Sequence, residues 1–500
     1  MSRSQASIVN NIRKAAAAGA PEAQCVLGKL CYLGEGVAQN TPEALSWFEK
    51  AAANGHLEAA YILGKVFQEG SVVPRDYAQS LRWLTQAARA SHALAEAELG
   101  VMYLNGEGVE KDQGEAFRWF ERAAKGGDAN SQYNAGLMLL NGRGTEADPQ
   151  KAFFWFREAA RGGDTPSRFN VGLMLFTGEG VPRDYLEARE WFEKAAADGD
   201  AASHFYLGLI HEEGRGVPRD PARALESYKK AALKGSNQAQ YFLGLRYLSG
   251  EGAPRDEEEA LYWLREAAAG GNEFAAFEMG LARMRGRGAP ADQAEALAWF
   301  TQAAQKGLPG AAANLGTFYL KGLGVAVDYE KAYYWSQKGA EAGVAEAMLN
   351  MGLLRFYGRG GASRDYGLAL EWFRKAAAAG AFAAYYELGL MYFQGTGVAL
   401  DYAQAFEYFE KAAAAGEVNS RMYAGIMLLN GFGARSDPGR GFALVKGAAE
   451  TGLAEAEYFL GIIFLQGLGV SQDPEEGRKW LRKAAEGGHA GAAEELGRLS

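Results

Sequence analysis

The chain has 500 residues, a formal net charge of −9, and 48% hydrophobic residues. This balance argues against nucleic acid or an anionic membrane as the principal partner, and the basic residues form no block. Glycine is abundant at 66 residues, but a hydrophobic fraction this large combined with a fixed period excludes a disordered chain.

The N-terminal segment MSRSQASIVNNIRKAAAAGAPEAQ has no apolar core of the kind a secretory signal carries. No run of about 18 or more apolar residues occurs that could span a membrane. Cys25 and Cys31 lie on different turns of one predicted helix, which disfavours a mutual disulfide and fits two buried thiols in a reducing compartment. A cytoplasmic protein is the expectation.

Residues 8–19 read as the second half of a repeating unit, with Asn10, Asn11, Arg13 and Lys14 on a polar side suited to an exposed end. From there a Leu-Gly-type glycine recurs every 36 residues, at Gly28, Gly64, Gly100 and so on to Gly352. After a one-residue slip near Gly360-Gly361 the series resumes at Gly389, Gly425, Gly461 and Gly497. Thirteen full repeats fill 20–487, and 488–500 make a C-terminal capping helix, so 1–500 reads as one continuous array.

The most regular copy predicts two helices. Helix A runs over 93–105 and closes on Gly106; helix B starts after Asp112 and stops at Gly127. Asp112 is the expected N-cap, and Glu115 three residues on completes a capping-box pattern, repeated at Asp184/Glu187 and Asp256/Glu259. Helix B carries an apolar stripe of Ala116, Trp119, Phe120, Ala123 and Ala124. All ten tryptophans occupy the Trp119 column and are expected in the core.

A glycine in mid-helix costs roughly 1 kcal/mol against alanine, so its recurrence in helix A implies a contact that a methyl group would block. The Gly-x-Gly between the helices lacks the preceding strand and the lysine of a phosphate loop and reads as a turn. Its middle residue alternates in sign from Glu107 and Arg143 to Glu251 and Arg287, which predicts a ladder of surface pairs between stacked repeats. Departures mark candidate soft points: Val72 and Ser91 replace glycines, Ser227 and Leu444 replace tryptophan, and glycines enter helix B at 431–447.

The pattern carried by Ala95, Leu99, Gly100, Tyr103, Gly106, Gly108, Val109, Asp112, Ala116, Trp119, Ala123, Ala124 and Gly127 resembles the Sel-1-like repeat, a relative of the tetratricopeptide repeat. The resemblance covers about residues 8–499. It implies an all-α fold, a right-handed superhelical solenoid of antiparallel helix pairs that holds other proteins together.

The five histidines form no metal-ligand spacing, and no nucleophile or zinc motif is present, so no enzyme activity, metal site or cofactor is expected. The expectation is a monomeric scaffold or adaptor binding other proteins as extended or helical segments, without nucleic acid or membrane insertion. Counted from the Leu-Gly glycine, positions −6, −2, +1 and +5 make one stripe of helix A. Glu98, Asn134, Asn170, Tyr206, Asn314 and Asn350 fall at −2, and Asn105 and Asn141 at +5. The −3 column beside them is largely aromatic, with Tyr133 and Phe169 among its members. The tetratricopeptide likeness implies that helix A lines a concave groove where an asparagine bridges a bound peptide backbone. A secreted or envelope-associated interaction factor and a self-assembling spacer are the alternative readings.

Overall fold

The computed structural model describes residues 3–499, which form 28 helices and no strand. Helix pairs repeat along the chain as a solenoid, and every substantial contact joins a helix to the next one or two in sequence. The chain divides into two compact units, 1–255 and 256–500, each built from the same helix pair.

Helix A of the regular repeat spans Ala93–Asn105 and helix B spans Gln113–Lys125, as the sequence predicts. Asp112 caps helix B, its Oδ1 accepting from the Gly114 and Glu115 amides at 2.8 and 3.0 Å. The other half of the capping box does not form. The Asp112 amide instead donates to the carbonyl of Tyr103 in helix A at 3.0 Å, locking the turn to the helix before it. The glutamate of the pattern is thereby released: Glu187, Glu259 and Glu295 accept from the indole Nε1 of Trp191, Trp263 and Trp299. Helix A has caps of its own that the sequence reading missed, including Asp128, Asp164, Asp200 and, through Nδ1, His56, His92 and His489.

The mid-helix glycine is explained by the residue after tryptophan. A Cβ built on Gly100 would meet Phe120 Cδ1 at 2.8 Å, and Gly136, Gly172, Gly280 and Gly389 face Phe156, Phe192, Phe300 and Phe409 in the same way. Those phenylalanines are fully buried, whereas no tryptophan is: Trp83, Trp155 and Trp263 are buried with slight exposure and the others are half-buried. The expected tryptophan core is therefore a phenylalanine core with an indole rim. The rim rings are covered on one face by cations: Lys50 lies 4.3 Å from the Trp47 centroid, Lys194 4.4 Å from Trp191 and Lys483 4.5 Å from Trp480.

The second loop glycine brings repeats together. Gly108 has φ +70°, and a Cβ there would sit 2.4 Å from Tyr77 Cβ at the start of the preceding helix B. The predicted charge ladder along these loops is not formed. Within the first unit no ion pair joins Glu107, Arg143, Glu179, Arg215 and Glu251 to one another. Arg215 lies instead over the Phe176 ring at 4.7 Å, and Glu251 pairs with Arg219 and Arg246. Glu251 thus reaches the preceding loop through Arg219 and not through Arg215, while Arg215 turns to aromatic rings and to Glu213 of its own repeat.

The first described helix, Arg3–Ala17, begins before the half-repeat the sequence suggested. It buries Ala16 and leaves Asn10, Asn11, Arg13 and Lys14 exposed, as expected of a cap. Cys25 and Cys31 are both buried free thiols. Burial pushes each thiol above its ordinary value, which disfavours the reactive thiolate.

Candidate functional site

Helix A fixes the stripe that the sequence singled out, and the structure divides its members into three kinds. The first kind joins neighbouring repeats. Glu98 accepts from Lys65 Nζ at 2.9 Å, and Asn350, buried to 4% exposure, donates to Thr317 Oγ1 at 2.9 Å. In both cases position −2 of one repeat meets position +1 of the repeat before it. Burial pulls the Lys65 ammonium down, and the bond to Glu98 more than reverses this, leaving it above its ordinary value.

The second kind spends its donor locally. The amides of Asn170, Asn314 and Asn141 donate to the carbonyls of Pro166, Gly310 and Leu137 four residues back, at 2.8, 2.9 and 2.8 Å. Among the described residues no donor reaches their Oδ1 acceptors. Asn105 is exposed and donates to Glu107 at 2.9 Å. Asn134 is half-buried and makes no side-chain hydrogen bond with the described residues.

The third kind is aromatic and packed. Tyr133 lies 5.9 Å from Phe156 and Phe169 5.9 Å from Phe192, ring centre to ring centre, both against the helix B of their own repeats. Tyr206 stacks on Phe192 of the preceding repeat at 5.1 Å. Burial raises the phenols of Tyr133 and Tyr206 above the usual range. Tyr133 and Phe169 at −3, and Tyr206 at −2, thus serve the joints between helices, with half-buried edges left on the surface.

Two further residues belong to this face. Glu387 holds position −2 after the one-residue slip, so the same count along the chain finds it. Its carboxyl is pushed up to about 7 by burial and by the charge of Glu417. Among the described residues no cation lies within 4.0 Å of it. The reason lies in the register: the +1 position of the preceding repeat is Leu353, where Lys65 serves Glu98. Glu278, also at −2, is raised above its ordinary value chiefly by burial.

A second polar cluster was not foreseen. Tyr228 replaces the core phenylalanine of its repeat, is fully buried, and donates its hydroxyl to Glu212. Glu212 pairs with Arg246, which also reaches Glu251 at 3.0 Å. Burial and the Glu212 acceptor drive the Tyr228 phenol far upward, so it remains a neutral donor. His204 and His211 are both lowered chiefly by burial.

A 36-residue helix pair repeated with these caps and glycine contacts is matched by the Sel1 repeat model in thirteen consecutive segments, from 21–56 to 454–489. The chain belongs to the Sel1 repeat family. Among solved structures this Sel1 array is similar to a protective antigen of uropathogenic Escherichia coli with the SLR fold. The two are 31% identical, the match covers 90% of this chain and 97% of that one, and the TM-score is 0.73. A Sel1 repeat protein from Oxalobacter formigenes is also 31% identical, over 64% of this chain and 91% of that one, with a TM-score of 0.51. No curated protein matches the sequence. The Sel1 solenoid is a fold typical of protein–protein interaction scaffolds. No helix among the described residues is long and apolar enough to cross a membrane.

Proposed function

We propose that this Sel1 array is a non-enzymatic scaffold or adaptor that holds extended or helical segments of client proteins along the faces of its A helices. The observation that carries the reading is the unsatisfied polarity of that face. Among the described residues Asn134 has no side-chain partner, the acceptors of Asn141, Asn170 and Asn314 receive no donor, and the half-buried Glu387 carboxyl has no cation. Within the first unit the amide acceptors of Asn141 and Asn170, with Asn134 beside them, suit the N–H groups of a client backbone; within the second, Asn314 suits the same groups and Glu387 a client lysine or arginine. Glu98 and Asn350 hold the frame together beside these groups.

The test is the triple substitution Asn134→Ala, Asn170→Ala and Asn314→Ala, which spares the Asn350 joint. Affinity purification with mass spectrometry from the native host should show client recovery reduced about tenfold while far-ultraviolet circular dichroism is unchanged. An unaltered set of clients would rule out the A-helix face. The monomer and the cytoplasm are the settings proposed for this activity. The period runs without interruption from Gly244 to Gly280, which supports reading 1–500 as one array.

A second reading is favoured by one observation, that the E. coli relative is described as a protective antigen. On that reading the array works outside the cytoplasm as an envelope-associated interaction factor. Fractionation of the native host separates the two, since recovery in the envelope or medium selects the second.

A further inference from the structure

The repeat at 418–452 lacks both the ring and the cation over it that the repeats on either side keep: Tyr408 with Lys411 before it, and Trp480 with Lys483 after it. In the repeat after it, Glu476, Trp480 and Lys483 stand three, seven and ten residues past the N-cap Asp473, with Lys483 4.5 Å from the ring centre. Past the N-cap Asp437 the same positions hold Arg440, Leu444 and Gly447. The ring is missing, its glutamate is replaced by a cation, and the covering cation is missing. In other repeats the residue at the tenth position also reaches back to the preceding helix B. Gln86, Arg122 and Gln302 donate to the carbonyls of Ala52, Ala88 and Ala268 at 2.8, 3.0 and 2.7 Å. Gly447 has no side chain to do so.

A cleft of about 200 Å³ occupies this place. Ala413 and Ala414 of the preceding helix B form one wall and Leu444 the other, with Arg421 and Arg440 at the rim. Arg440 pairs with Glu410, whereas half-buried Arg421 has no carboxylate within 4.0 Å among the described residues. The cleft therefore combines small apolar walls, the position of a missing indole, and two guanidinium groups served by one carboxylate.

We propose that this cleft is a docking site for one aromatic side chain of a partner protein, in a segment that carries a carboxylate beside the aromatic residue. The ring enters where the repeat's own tryptophan is absent, against Ala413, Ala414 and Leu444. Arg421 covers the ring edge or pairs with the acid, the former being the role that Lys483 and Lys375 play over Trp480 and Trp372 in other repeats. The site is lined by two B helices and by Arg421 and Ala424 of the helix A Val418–Asn430, at positions −4 and −1, outside the −6, −2, +1, +5 stripe.

Ligand-observed NMR and calorimetry on the full chain, with indole-3-acetate as the probe, test the proposal. The native protein should bind saturably in the millimolar range, Arg421→Ala should weaken binding at least fivefold, and Leu444→Trp should abolish it by restoring the ring. Circular dichroism checks that Leu444→Trp is folded; Ala413→Met blocks the same cleft from the opposite wall if it is not. Absence of saturable binding in the native protein, unchanged binding in the blocked variant, or unchanged affinity in Arg421→Ala would overturn the proposal.

Discussion

Ser91 carries φ +61°, the only residue other than glycine with positive φ among those described. It stands where Gly55, Gly127 and Gly163 end helix B, and a left-handed L-residue costs roughly 1–2 kcal/mol. Ser91→Gly is therefore expected to stabilise its repeat by about 1 kcal/mol, read as a rise in the denaturant midpoint of the first unit. Glu387 acts through charge. Its folded value of about 7 lies above the usual carboxylate range, so between about pH 4.5 and 7 the folded chain binds more protons than the unfolded one. Stability from this group is complete below that window and is lost as pH rises through it, by roughly 1–3 kcal/mol. Glu387→Gln should flatten that part of the stability profile and leave the protein more stable than the native chain at pH 8. Equal slopes for the two proteins in chemical denaturation would show that the carboxyl is already solvated.

Helix ends were the part of each element most legible in the sequence, because a cap is made within four residues. Asp112, Asp184 and Asp473 cap as predicted. Depth was less legible. Trp119 and Phe120 are adjacent on one stripe, and periodicity says which face is buried without saying which ring goes under the glycine of the paired helix. The charge ladder failed for a related reason, since a pair between loops depends on how far apart two turns sit. Glu387 could be found by counting, but its lack of a partner needed the register that sets Leu353 where Lys65 stands elsewhere. The helix Pro438–Ala449 shows what such packing decides. Gly447 has only the ordinary contacts of Arg421 at 3.7 Å near its Cβ position, whereas Gly441 would place a Cβ 2.8 Å from the carbonyl of Gly425. Two chemically identical substitutions should thus have opposite signs. Gly447→Ala should gain about 1 kcal/mol from helix propensity and slow amide exchange in this helix roughly fivefold. Gly441→Ala should lose about 1–3 kcal/mol by forcing the paired helices apart, with faster exchange.

At the scale of the molecule, the regularity that made the fold legible also hides the function. Residues shared by every repeat build the frame, and on the proposed reading the groups that meet a client are those in which repeats differ, such as Asn134 against Glu98. Substantial contacts reach no further than two helices along the chain, so stability should behave as a sum over repeats and their joints. Excising residues 129–164, one whole repeat, joins Asp128 to Thr165 in the sequence context that Asp164 supplies now. Asp128 can then cap Thr165–Thr177 as Asp164 does in the intact chain. The shortened protein should fold with the same helicity per residue and a denaturant dependence reduced in proportion to its length. It should also bind clients less tightly, because Asn134 and Asn141 leave with the excised segment. Removing residues 1–20 should act differently, since the Ala16 contact and the exposed polar cap go without a new neighbour to cover the first repeat. Circular dichroism and exchange mapping of both deletions decide the matter. If the internal excision unfolds the unit while the terminal one does not, stability depends on cooperation beyond nearest neighbours, and the additive account of this array is wrong.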